Sequence, residues 1–131
     1  MNRAGTFSFN KALNAGFLHE LFAGDLAYAA EVFADVSNEL QQSWAELETA
    51  YLHSNSDSLK AAAHKCKTLF AYVGHDTMQQ RMQEIETAGS LAPAGTSPHE
   101  CWHQLQLDAR TATQLILDET ERLKEFHACE N

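Results

Sequence analysis

Residues that break helices are scarce: two prolines (Pro93 and Pro98) and six glycines in 131 positions. Long uninterrupted helices are therefore open to this chain. Valine, isoleucine and threonine are also few beside alanine, leucine, glutamate and glutamine, which argues against a sheet. Three cysteines (Cys66, Cys101 and Cys129), odd in number and far apart, exclude a disulfide framework and fit a reducing compartment. No apolar run approaches the roughly 18 residues of a membrane span. The first six residues lead into no signal-like apolar stretch. Basic residues number only nine against 18 acidic ones, a net charge of −9, which repels nucleic acid and anionic membranes. A Gly-rich phosphate loop is missing, so no nucleotide site is read here.

What is present suits one folded domain. Apolar residues make up 44% of the chain, enough for a core and too many for a disordered segment. The apolar positions recur at helical spacing in five stretches. Phe9, Leu13, Phe17, Leu21 and Phe22 predict a first short helix over residues 9–22, broken by Gly24 and Asp25. The second stretch is the most regular: Leu26, Ala29, Phe33, Val36, Leu40, Trp44, Leu47 and Tyr51 form one stripe. It predicts a helix about 43 Å long over residues 25–53, capped by Asp25. A third helix is predicted over 58–73, with Leu59, Ala62, Ala63, Cys66, Leu69, Phe70 and Val73 inward and Gly74 as its stop. Met78, Met82, Ile85 and Ala88 predict a fourth, capped by Asp76 or Thr77 and closed by Gly89. Residues 90–96 read as a loop. Ser97, Pro98 and Glu100 form a capping box for a fifth helix running to about Phe126, with Trp102, Leu105, Ala109, Ala112, Ile116, Leu123 and Phe126 inward.

The expected fold is all-α: an antiparallel up-down four-helix bundle with an additional short N-terminal capping helix. One domain is expected over residues 1–131, with its bundle core over about 9–127.

The third helix carries an anomaly of charge. Lys60, Lys65 and Lys67 fall within eight residues, and no acidic residue occurs between Asp57 and Asp76. Taking about 100° of rotation per residue, His64 lies roughly 140° from the middle of the buried stripe and faces solvent. Lys60 and Lys67 lie at roughly 100° and 80°, one turn before and one turn after it. Thr68, Ala71 and His75 fall nearby. A neutral imidazole is a nucleophile whose ring nitrogen can carry a phosphoryl group, and ammonium groups one turn away can neutralise the phosphoryl oxygens. The plain alternative is an inert solvated face.

Ala63-His64-Lys65-Cys66-Lys67-Thr68-Leu69-Phe70-Ala71-Tyr72-Val73-Gly74 resembles the signature of histidine phosphotransfer (HPt) domains. That signature has an alanine before the histidine, a lysine three residues after it and an apolar-glycine pair further on. Met78, Met82, Ile85 and Glu86 are similar to the family's next helix, and the stretch from Leu18 to Asp25 looks like its approach to the long second helix. The resemblance spans about residues 17–89. It implies that His64 is phosphorylated and that Lys67 is its main phosphate-stabilising neighbour. Lys60 is added from helical geometry alone. Thr68 departs from the family's glycine at that position and bears on transfer rate.

By resemblance, the chain is a phosphocarrier of a multistep phosphorelay, without kinase activity of its own. It would exchange phosphate with receiver domains of response regulators or of a hybrid sensor histidine kinase. Mg²⁺ would belong to the receiver, so no cofactor is expected on this chain. Lys65, Thr68 and Ala71 are expected at the partner contact, with Lys60, Lys65 and Lys67 steering an acidic partner. A monomer in the cytoplasm, free-standing rather than part of a larger kinase, is the expectation.

Two other readings compete. A helical adaptor with an unused HPt-like site is favoured by Thr68. A metal site is suggested by Glu100-x-x-His103 and the His99/His103 pair, but a di-iron bundle needs two such motifs, and this chain has one.

Overall fold

The computed structural model describes residues 7–91 and 95–130, with side chains up to residue 128. Residues 1–6, residues 92–94 of the expected loop, residue 131 and the Cys129 side chain lie outside it. Five helices occur among the described residues: α1 (Ala15–Phe22), α2 (Leu26–Leu52), α3 (Ser56–Tyr72), α4 (Asp76–Ala88) and α5 (Pro98–Glu130). Among the described residues there is no strand, so the chain is all-helical. None of the helices is long and apolar enough to cross a membrane.

Each start is set by a side chain that accepts one of the orphan backbone N–H groups of a first turn. Asn14 accepts from Phe17 at 3.1 Å, Asp25 from Tyr28 at 3.0 Å, and Asn55 from Ser58 at 3.1 Å. The cap of α4 is His75, whose Nδ1 accepts the Met78 N–H at 3.2 Å. This replaces the expected Asp76 or Thr77 cap. It also replaces a solvent-facing His75 with a buried one.

The largest departure is at the N-terminus. The predicted helix over 9–22 begins only at Ala15, and the preceding segment is an irregular strap. Tertiary hydrogen bonds hold that strap in place of helical ones. Asn10 donates its N–H to Glu119 at 2.6 Å, Arg122 donates to the Ser8 carbonyl at 2.9 Å, and Asn14 donates to the Gly74 carbonyl at 2.8 Å. Phe7, Phe9 and Leu13 are still buried, but by the strap's path. Phe17 and Leu21, expected inward, are exposed, and Leu18 takes the buried position instead.

Helix α2 packs against both α3 and α5, and α3 packs also against α4. The α4–α5 contact is slight and is bridged by Arg81 and Asp108 at 2.8 Å. Phe33, Leu40, Leu47, Cys66, Phe70, Met82, Ile116 and Leu123 are almost wholly removed from solvent. Each large apolar side chain so buried contributes about 1.5–3 kcal/mol. Trp102 of α5 stacks on Trp44 and Tyr51 of α2, with ring centroids 5.6 and 4.5 Å apart. All seven residues expected on the inner stripe of α3 are buried. That burial fixes the rotation of α3 and therefore what its opposite face presents.

Candidate functional site

With its apolar stripe against α2 and α4, α3 presents His64 to solvent, the side chain 58% exposed. The imidazole has one partner on its ring. Its Nδ1 lies 2.8 Å from Glu86 Oε2 of α4. A carboxylate only accepts, so Nδ1 carries the proton, and in the neutral ring the lone pair resides on Nε2.

The same carboxylate is shared. Lys67 Nζ lies 2.6 Å from Glu86 Oε1 and donates to Gln83 Oε1 at 3.0 Å. Lys67 first, and His64 after it, hold the Glu86 carboxyl below its ordinary range, against partial burial, which pushes it up. Three elements of chemistry therefore meet at one point on the α3–α4 seam: a histidine, an ammonium group and a carboxylate. Gln83 and Glu86, three apart on α4, occupy the flank beside its buried Ile85.

The other expected site residues are placed as follows. Lys60 lies along Gly89 at the C-terminal end of α4: a Cβ on Gly89 would come within 2.7 Å of Lys60 Cε. Its ammonium thus stands near a helix C-terminus, where positive charge is favoured. Lys65 turns to α2 and pairs with Glu46 at 2.9 Å. Thr68 donates its hydroxyl to the His64 carbonyl at 3.1 Å, so this proton is already engaged with the backbone one turn back. Ala71 is half-buried on the same face. His64 and Lys67 are brought together, whereas Lys60 and Lys65 diverge to either side.

Glu86 and Gln83 had no assigned role from sequence, although Glu86 belongs to the pattern that raised the resemblance. The only signal for them was their helical spacing on a neighbouring element. Elsewhere, burial pushes the Cys66 thiol up to about 12, with Glu46 adding to the rise and Lys65 opposing it. This thiol packs the core, and burial keeps it in its protonated form. Among the described residues no three His, Cys, Asp or Glu side chains converge as metal ligands, and His99 and His103 are exposed.

Comparison with known proteins adds no relative: no family model, no curated protein and no solved structure matches this chain.

Proposed function

We propose that this chain is a histidine phosphotransfer protein, its four longer helices forming an antiparallel up-down bundle and His64 carrying the phosphoryl group. One observation carries the reading: an exposed histidine in mid-helix whose Nδ1 is tied to Glu86 at 2.8 Å, leaving Nε2 as the nucleophile. The resemblance of the His64 segment to the HPt signature agrees with it.

The chemistry follows from that geometry. The Nε2 lone pair attacks the phosphorus of a receiver's aspartyl phosphate, the N–P bond forms as the acyl P–O bond breaks, and the aspartate leaves as carboxylate. The ring becomes an imidazolium that keeps its proton on Nδ1, and the Glu86 carboxylate faces that new charge. Lys67 stands ready to neutralise phosphoryl oxygens as it exchanges one anionic partner for another. The reverse steps charge a second receiver. Mg²⁺ would be held by the receiver, and the protein would work in the cytoplasm as a monomer.

Two observations favour a second reading, a helical adaptor with no phosphate. Lys67 is already neutralised by Glu86, and Thr68 stands where the family has glycine.

The deciding experiment is transfer from phosphorylated receiver domains to the wild type and to His64→Gln. An acid-labile, base-stable phosphate on the wild type alone supports the carrier reading. No label on the wild type across a broad receiver panel removes it in favour of the adaptor.

A further inference from the structure

Beside His64, on the side away from Glu86, a groove of about 390 Å³ runs between α2 and α3. Its walls include Glu39 and Glu46 from α2, and His64, Lys65, Thr68 and Tyr72 from α3. Lys65 and Glu46 pair with each other. Among the described residues Glu39 has no ion-pair partner, and it is exposed. Across from it Tyr72 leaves about half of its surface, 51%, in solvent. The surroundings reinforce the sign. Tyr28, Glu31, Asp35, Glu39 and Glu46 recur along α2 at steps of three, four or seven, and α2 contains no lysine or arginine.

Resting on the phosphotransfer reading, we propose that this groove receives an arginine side chain from the receiver domain that exchanges phosphate with His64. Three features converge on that occupant. The groove opens against the reacting histidine, so whatever fills it is brought to the phosphoryl group. Tyr72 offers a ring face on which a planar guanidinium stacks. Glu39 offers a carboxylate that accepts from the guanidinium fork. The acidic stripe extends the attraction along α2 and repels receivers with carboxylates at that position, so it selects partners as well as binding them. The rim on this side is thus complementary to a basic partner surface, whereas the lysines of α3 are held by Glu46, by Glu86 or along the end of α4.

The test uses a receiver that charges the wild-type chain, with initial transfer rate measured against receiver concentration. Glu39→Gln is expected to raise the half-saturating concentration about threefold to fivefold while the saturating rate stays within about twofold. Glu39→Lys raises it further, and Tyr72→Ala gives a rise like that of Glu39→Gln. Raising salt from about 50 to about 500 mM weakens the wild type more than Glu39→Gln. Glu48→Gln, on the α5 side of α2, changes neither constant. Replacing the receiver's groove-facing arginine with glutamate restores affinity for Glu39→Lys. Wild-type affinity in folded Glu39→Lys, checked by circular dichroism, overturns the inference while leaving the phosphotransfer reading intact. If no receiver charges the wild type, both fall.

Discussion

Glu86 Oε2 stands 2.8 Å from His64 Nδ1, and this one contact decides which imidazole nitrogen faces solvent as a base. In water a free histidine favours the opposite tautomer, with the proton on Nε2. Nitrogen chemical shifts should therefore show the Nδ1–H tautomer for His64 in the wild type and a shift toward Nε2–H in Glu86→Ala. On the proposed phosphotransfer function, transfer to His64 in that variant should fall about tenfold or more, as when a group that orients a reactive ligand is removed. Unchanged shifts in Glu86→Ala would sink the assignment of Glu86 as a positioning residue.

Because Glu86 ionises below its ordinary range, its folded-state pKa is lower than in the unfolded chain. Its share of stability is therefore full above the ordinary carboxylate value of 4.5 and is lost as pH falls through the folded value. Acid titration of Glu86→Gln should lack that component. An identical acid-unfolding profile in wild type and variant would contradict the shared contact with Lys67.

His75 makes a second pH-dependent contribution of a different origin. Burial lowers its pKa from 6.5, while its own backbone hydrogen bond and the adjacent Asp76 oppose the drop. The folded state then binds fewer protons than the unfolded one, so stability is full above 6.5 and declines as pH falls toward the folded value. The neutral ring is also what accepts the Met78 N–H. His75→Asn should keep the cap and flatten this slope, and His75→Ala should cost about 1 kcal/mol at neutral pH. Urea titrations at several pH values check both.

Gly74 couples α1 to the end of α3. Its φ is +69°, and a Cβ there would meet Leu18 Cγ at 3.1 Å and the Asn14 backbone nitrogen at 3.3 Å. Gly74→Ala combines left-handed strain with crowding and should destabilise by about 1–3 kcal/mol. A urea midpoint equal to that of the wild type would show that the strap and α1 are not seated as described.

The strap itself depends on a buried carboxylate. Glu119 is 1% exposed, pairs with Arg122 and accepts the Asn10 N–H. Arg122 also lies over the Phe7 ring, 4.7 Å from its centroid. Arg122→Ala removes the ion partner, the bond to Ser8 and this ring contact together. Destabilisation of about 1–3 kcal/mol is expected. Amide exchange at Asn10 should accelerate in the variant, and protection equal to the wild type would rule out the strap as a docked element.

Much of the helical layout was legible because it is local. The stripes of α2 and α3 fix both the helices and their inward faces, since side chains three and four apart share a face whatever surrounds them. Exposure of His64 followed from the same rotation. The N-terminal stretch was misread for the converse reason. Phe9 and Leu13 have helical spacing, but the N–H group after each is claimed from far away in sequence, that of Asn10 by Glu119 and that of Asn14 by the Gly74 carbonyl. Periodicity reports the burial of side chains, not the partner of each N–H.

The sequence by itself determined the long second, third and fifth helices with their inward stripes, the presence of two shorter helices, and a histidine between lysines on the outer face of the third. These depend on spacing within one helix. The tertiary structure alone decided that Glu86, 22 residues from His64, holds Nδ1 and Lys67 together, that Lys65 turns away to Glu46, and that Glu39 and Tyr72 flank one groove. Those relationships depend on the azimuth at which separate helices pack. That azimuth is set by the fit of side chains between helices and cannot be read from any one of them.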